Sequence, residues 1–167
     1  MPFRGDNIFP HNSRNVRSAS RALIIKDGKL LAIKMKRPRE EEVFYILPGG
    51  GQQHGETLVT SLMRECREEI GVEPIIETVA YVREYIGRNH SFASKHKHFH
   101  QLEVVFNCRL PEGVVIDLST NGDKNQIGIE WIPLADLPNA NFYPRKILEF
   151  IQDGQLSVDP LYLGDIN

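Results

Sequence analysis

Apolar residues fall in short clusters along most of the chain, and the spacing within each cluster predicts an element. Ala22–Ile25 and Leu30–Ile33 are contiguous apolar runs on either side of Asp27-Gly28, the pattern of two strands joined by a tight hairpin. After the charged loop Lys36–Glu42, Val43–Leu47 predicts a short buried strand, ended by Pro48-Gly49-Gly50-Gly51. Over Thr57–Ile70 the period changes. Leu58, Leu62, Cys66 and Ile70 recur at i, i+4, with Val59 and Met63 beside them, so this segment predicts an amphipathic helix. Gly71 follows the last periodic residue and predicts its C-terminal stop. Ile75–Ile86 predicts a strand or a pair of strands, Gly87–Lys97 a polar loop, and Leu102–Cys108 and Ile127–Ile132 two further strands. Pro144–Ile151 predicts a second helix, with proline in its first turn and Ile147, Leu148 and Ile151 as its apolar face. Few helices among many strands predict an α/β (α+β) protein in which helices pack on a mixed β-sheet.

Composition narrows this without redirecting it. The chain has 167 residues, 41% hydrophobic and 25% charged, which predicts one globular domain over residues 1–167 with an irregular lead-in over 1–18. Twenty Lys and Arg against 22 Asp and Glu leave a net charge of -2, so broad, sequence-independent nucleic-acid binding is not expected. Cys66 and Cys108 form no C-x-x-C pair. They are expected to be reduced, buried thiols in a cytoplasmic protein. The N-terminal segment lacks the apolar stretch of a signal peptide. No run approaches the ~20 apolar residues of a membrane helix, so no membrane association is expected.

The helix Thr57–Ile70 carries the chemistry. Glu65, Glu68 and Glu69 are spaced i, i+3, i+4 and fall within an arc of about 100°. Glu69 lies close to the apolar stripe and is expected to be partly buried. Three carboxylates on one face repel each other, and Arg64, which can pair with Glu68 at i, i+4, cannot neutralise all three. A hard divalent cation can. Clustered carboxylates with no histidine among them suit Mg²⁺ or Mn²⁺. Such an ion polarises phosphoryl oxygens and activates bound water. A bare E-x-x-E-E is otherwise an ordinary solvated acidic face.

The neighbours decide between these readings. Gly50, Glu56, Arg64, Glu65, Cys66, Glu68, Glu69, Gly71 and Val72 fit G-x5-E-x7-R-E-U-x-E-E-x-G-U, where U is apolar. This resembles the signature of the Nudix hydrolase family. The resemblance extends from roughly Arg17 to Ile151, through the first hairpin, Tyr45–Gly50, and Glu130-Trp131-Ile132-Pro133-Leu134. It implies an α/β/α sandwich with a loop–helix–loop metal site, and Mg²⁺- or Mn²⁺-dependent hydrolysis of a phosphoanhydride in a nucleoside diphosphate linked to another moiety. It implies Glu65, Glu68 and Glu69 as metal ligands with the Gly50 carbonyl, Arg64 as the arginine that orients a box glutamate, and Glu56 and Gly71 as structural positions. A carboxylate at Glu56 also suits the helix N-terminus.

The base that activates water varies within the family. Glu65 and Glu68 are candidates inside the box; Glu103 and Glu130, on strands, are candidates outside it, with an outward-facing strand residue as the plain alternative for both. Arg21 and Arg37 are candidates for phosphate contact. His96, His98 and His100 alternate and would share one face of a strand. With His90, Lys95 and Lys97 they suggest a loop touching substrate phosphates more than a zinc site; a solvated loop is the plain alternative. Tyr45, Phe99 and Trp131 are candidates for base stacking or core packing.

The substrate stays open. ADP-ribose-cleaving members carry a proline well downstream of the box, and no proline occurs between Pro74 and Pro111. Tyr85 lies too close to the box to be the tyrosine of dinucleoside-polyphosphate members. Nucleoside triphosphates, nucleotide sugars and capped or triphosphorylated RNA ends all remain, and the family often forms homodimers. Two other functions share the fold. One is a non-catalytic nucleotide-binding sensor, which usually has a degenerate box. The other is an isoprenoid isomerase, which needs a reactive cysteine where Cys66 is expected to face the core.

Overall fold

The computed structural model describes residues 15–91, 93–118, 122, 124–153 and 155–167; most of the N-terminal lead-in lies outside them. Ten strands and two helices follow in order: β1 (Arg17–Lys26), β2 (Lys29–Lys36), β3 (Val43–Ile46), β4 (Gly49–Gly51), α1 (Leu58–Ile70), β5 (Ile75–Ile86), α2 (Ala93–His96), β6 (His100–Arg109), β7 (Gln126–Pro133), β8 (Ile151–Gln152), β9 (Gln155–Leu156) and β10 (Tyr162–Asp165).

The hairpin forms as expected. Ile25 pairs with Leu30 and Lys26 with Lys29, and both turn residues, Asp27 and Gly28, have positive φ, as a two-residue hairpin turn requires. β1 then organises the sheet. It runs parallel to β6 and antiparallel to β4, while β2 carries β3 and β7. The order β10-β5-β6-β1-β2-β3, with β4 on β1 and β7 on β2, is the expected mixed sheet.

β1 and β2 are apolar on both faces because both are covered. Ala22, Ile24, Leu31 and Ile33 meet Leu62, Cys66 and Ile70 of α1. Leu23, Leu30 and Ala32 face the other way, onto Leu137, Phe142 and Ile147. The result is a sandwich with α1 on one side and short helical segments on the other.

Helix α1 is set by its ends. Thr57 is the N-cap. Its hydroxyl accepts from the Thr60 N–H at 3.1 Å, and the Thr60 hydroxyl accepts from the Thr57 N–H at 2.9 Å. Gly71 closes the helix in the left-handed region at φ 72°, where glycine carries no Cβ penalty. Thr57→Ala is expected to cost about 1 kcal/mol, which lowers the thermal melting midpoint by roughly 2–4 °C; an unchanged midpoint would mean the cap bonds contribute nothing.

Several expectations are corrected. Arg17 and Ser18, expected in the lead-in, belong to β1. Gly49–Gly51 does not merely end a strand but forms β4 itself. Gly87–Lys97 contains a 3₁₀ turn and α2 rather than being plain loop. His96, His98 and His100 therefore do not line one strand face: His96 is in α2, His98 in a turn, and only His100 in β6. The segment after Pro144 is a 3₁₀ helix, Arg145–Phe150, with Pro144 outside it at the N-cap. Six residues at i, i+3 spacing satisfy that shorter repeat as well as the α-helical one.

Candidate active site

β4 and the start of α1 are held together by hydrogen bonds that converge on the box. Glu69, buried on α1, accepts the Gly49 N–H at 2.7 Å through Oε2. A buried carboxylate of this kind must have donors, and here the loop backbone supplies one. Gly49 has φ 125° and lies against the Ser20 carbonyl with no room for a Cβ. At Gly50 a Cβ would sit 2.5 Å from the Glu65 carboxyl carbon. Glycine at both positions lets the backbone approach the two carboxylates.

Arg64 ties the loop to the helix, though not through the expected partner. Its Nε and Nη2 donate to the two oxygens of Glu56 at 2.6 and 2.9 Å, its Nη1 to Glu65 at 2.7 Å, and its Nη2 also to the Gly51 carbonyl at 3.1 Å. Glu68, the i, i+4 residue, is only at 3.9 Å. Bidentate pairing selects the guanidinium–carboxylate geometry that the loop offers. Hydrogen bonds from Arg64, against the opposing effect of burial, hold the Glu56 carboxyl down at about 2. Glu56 accepts from the Gln53 N–H as well, so it braces the loop, and the helix end is capped by Thr57 instead.

Glu65, Glu68 and Glu69 thus share one helix but point to different partners. Among the described residues, no three His, Cys, Asp or Glu side chains are gathered closely enough to enclose a cation. Glu65 rests against Gly50 and Arg64, Glu69 against Gly49, and Glu68 is more than half exposed. The histidine stretch gathers no such set either. His90 bonds Asp165 at 2.6 Å and His96 bonds the Tyr85 hydroxyl at 3.0 Å.

Two strand glutamates have distinct surroundings. Glu103 does not face outward. It is 2% exposed and accepts from Arg21 Nε at 3.1 Å, Arg83 Nε at 2.7 Å and Gln101 at 2.9 Å. Burial would push its carboxyl up, but Arg83 and Arg21 outweigh that and hold it at about 2. A carboxylate so fully engaged is a poor general base. Glu130 is half-exposed and accepts from the Tyr45 hydroxyl at 2.9 Å, which gives Tyr45 a polar partner instead of a stacking role.

The two arginines also separate. Arg21 is mostly buried and, besides Glu103, donates to the carbonyls of Leu47 and Gly49, so it fixes the strand that enters the box. Arg37 lies 4.5 Å from the Phe44 ring centroid and pairs with Glu40. Cys66 and Cys108 are free and buried. Burial pushes both thiols up, Cys108 to about 12, so neither is a ready nucleophile. Arg83 was not singled out by the sequence, and Arg17 stood only among the arginines before the box, behind Arg21 and Arg37. Arg83 completes the Glu103 cluster. The Arg17 guanidinium lies over Gly51, on the same β1 face as Arg21, and alternation from Arg21 was the signal for it.

The sequence matches a known family over most of its length. A model of the NUDIX domain matches residues 16–151. The chain belongs to the Nudix family. Family membership together with relatives that are pyrophosphatases and pyrophosphohydrolases makes it an enzyme of the class acting on acid anhydrides. An ADP-ribose pyrophosphatase of Methanocaldococcus jannaschii is 29% identical over 127 residues, 76% of this chain and 68% of that protein. An RNA pyrophosphohydrolase of Campylobacter jejuni is 28% identical over 157 residues, 87% of this chain and 99% of that one. The 8-oxo-dGDP phosphatase NUDT18 of Mus musculus is 29% identical over 166 residues, and the chain spans only 46% of its length. Among solved structures, the MutT NUDIX hydrolase from Burkholderia pseudomallei superposes with a TM-score of 0.65 at 25% identity, covering 83% of this chain and 99% of that one. The Nudix fold is therefore the α/β/α sandwich described above. No helix among the described residues is long and apolar enough to cross a membrane.

Proposed function

We propose that this Nudix protein hydrolyses a phosphoanhydride bond of a nucleoside diphosphate linked to another moiety, and that it does so with Mg²⁺ or Mn²⁺. One observation carries the reading: the box backbone at Gly49 and Gly50 lies directly against the carboxylates of Glu69 and Glu65. The loop backbone and the two carboxylates are thereby brought together, and carboxylate oxygens joined by a backbone carbonyl suit a hard cation. The carboxylates need not form a closed cage. Mg²⁺ takes one or two of them, keeps several waters and completes its shell with substrate phosphate.

Glu65, Glu68, Glu69 and the Gly50 carbonyl are the residues that would hold the ion. Once bound, it would supply charge neutralisation for the phosphoryl oxygens and a lowered pKa for water. The chain's own residues do the rest. Arg64 keeps Glu65 beside the loop, and Glu56 anchors Arg64. Water attacks phosphorus, the P–O bond to the leaving phosphate breaks, and a box glutamate, Glu65 or Glu68, takes the proton. Glu103 is not assigned as the base because Arg21 and Arg83 already claim its carboxylate.

The test is metal-dependent release of phosphate, pyrophosphate or nucleoside monophosphate across nucleoside triphosphates, ADP-ribose, nucleotide sugars, dinucleoside polyphosphates and 5′-triphosphorylated RNA. Cleavage of one class, abolished by a chelator, is the expected result. Silence across the panel together with tight nucleotide binding would replace the enzyme with a sensor.

A further inference from the structure

A cavity of about 150 Å³ opens beside the box. Glu103 with its partners Arg21 and Arg83 lies at its floor, and Phe44, Tyr85 and Tyr143 stand in its walls. That volume has room for a ring system. Leu47 and Arg21 line it, and Arg21 also donates to the Gly49 carbonyl, so the cavity is one residue from the catalytic loop. If the protein is the hydrolase proposed above, the phosphates lie at that loop and the cavity takes the base.

Asn167 also lines this cavity, although residues 152–167 lie beyond the part that matches the NUDIX domain. Leu163 and Ile166 pack against the core cluster around Leu137 and Phe142, while Leu161 and Tyr162 are each more than half exposed, and backbone and side-chain bonds fix the rest of the segment. The Val82 N–H donates to the Leu161 carbonyl at 2.7 Å and the Ile166 N–H to the Glu84 carbonyl at 3.2 Å. Asp165 accepts from the Ile86 N–H at 2.8 Å and from Asn89 at 2.7 Å, and pairs with His90 at 2.6 Å. Arg83 joins the segment to the cavity floor: its Nε donates to Glu103 and its Nη1 to the Ile166 carbonyl at 2.8 Å. One guanidinium therefore sets both the floor and the position of the residue before Asn167.

We propose that the segment Leu161–Asn167 is a working wall of the substrate pocket, and that Asn167 is a specificity-determining residue whose side-chain amide hydrogen-bonds the nucleobase. On the floor Arg21, Arg83 and the Gln101 amide already donate to Glu103, whereas the Asn167 amide is able both to donate and to accept. It is thus able to read a base edge in two directions, as Asn does when it pairs bidentately with a purine. Among the described residues the Asn167 side chain has no hydrogen-bond partner, so its removal should not disturb the bonds that fix the segment.

Binding of the non-hydrolysable α,β-methylene analogues of ADP and GDP, and of methylenediphosphonate, which lacks a base, is measured by calorimetry with Mg²⁺ for wild type and Asn167→Ala. Wild type is expected to prefer one analogue. Asn167→Ala should weaken that analogue about five- to tenfold, the worth of one hydrogen bond, and narrow the preference. Methylenediphosphonate affinity and the melting midpoint should be unchanged. Equal affinity of wild type and variant for both analogues, an equal loss for methylenediphosphonate, or no base-dependent binding by wild type would each overturn the assignment. Turnover is not read, so a protein that fails the hydrolysis panel still answers this question.

Discussion

Glu68→Gln is expected to cut kcat by about a hundredfold or more, the scale on which a single charge-stabilising group in a preorganised site acts, while the melting midpoint moves by no more than a degree or two. The two halves of this expectation come from different parts of the structure. Glu68 shares the helix face of Glu65 and Glu69, so losing its charge weakens the ion-binding set or removes the base. Its side chain is 58% exposed and lies 3.9 Å from Arg64, and an exposed pair of this kind contributes about 0–1 kcal/mol. Relief of repulsion with Glu65, one turn away, offsets part of even that. Glutamine keeps the shape, so a fall in rate reports charge and not packing. Wild-type turnover would end the assignment of Glu68 to the metal set. A large loss of stability would instead make it a structural residue.

The box was legible because its chemistry is local. The helical repeat places Glu65, Glu68 and Glu69 on one side of α1, though their carboxylates take separate partners, and Thr57 and Gly71 mark the ends of that helix. The Arg64 pairing was only half legible. Helical spacing points to Glu68, but Glu56 wins because the loop returns to the helix and offers both oxygens, which no i, i+4 rule contains. β4 was hidden because three glycines have no strand propensity and pair only because β1 presents an open edge. The 3₁₀ segment after Pro144 was read as α because its six residues are too few to separate the two periods. The pocket wall at Asn167 was out of reach, since it depends on partners such as Ile86 and Arg83 far away in the chain. Glu103 had a signal that the sequence reading did not use. It stands two before Val105 and Arg21 two before Leu23, each in line with a buried apolar residue on the same face, so both charges belong inside the sandwich and must pair there.

That pairing makes Glu103→Gln the variant with the largest expected effect on stability. The change leaves the guanidiniums of Arg21 and Arg83 in the interior without the carboxylate they share, and Glu69 and Glu65 act on Arg21 only from a distance, with no hydrogen bond to it. Breaking a buried ion cluster by removing one partner costs about 3–5 kcal/mol, which lowers the melting midpoint by roughly 6–20 °C for a domain of this size. The pH dependence separates this from a packing defect. The folded-state carboxyl of Glu103 is held at about 2, below the roughly 4.3 of an unfolded glutamate. Its ionised form therefore stabilises the fold fully above the unfolded value, and that contribution is lost as pH falls from there through about 2. Melts of wild type and Glu103→Gln should thus be far apart at pH 7 and converge as the solution is acidified toward pH 2. A gap that stays constant across the range would show that the loss comes from shape, and a gap of under about 2 °C at pH 7, less than a single kcal/mol, would show that Arg21 and Arg83 do not depend on Glu103. Because Arg21 also holds the Leu47 and Gly49 carbonyls, a variant that folds at pH 7 should lose substrate affinity as well, through a loop no longer anchored from below.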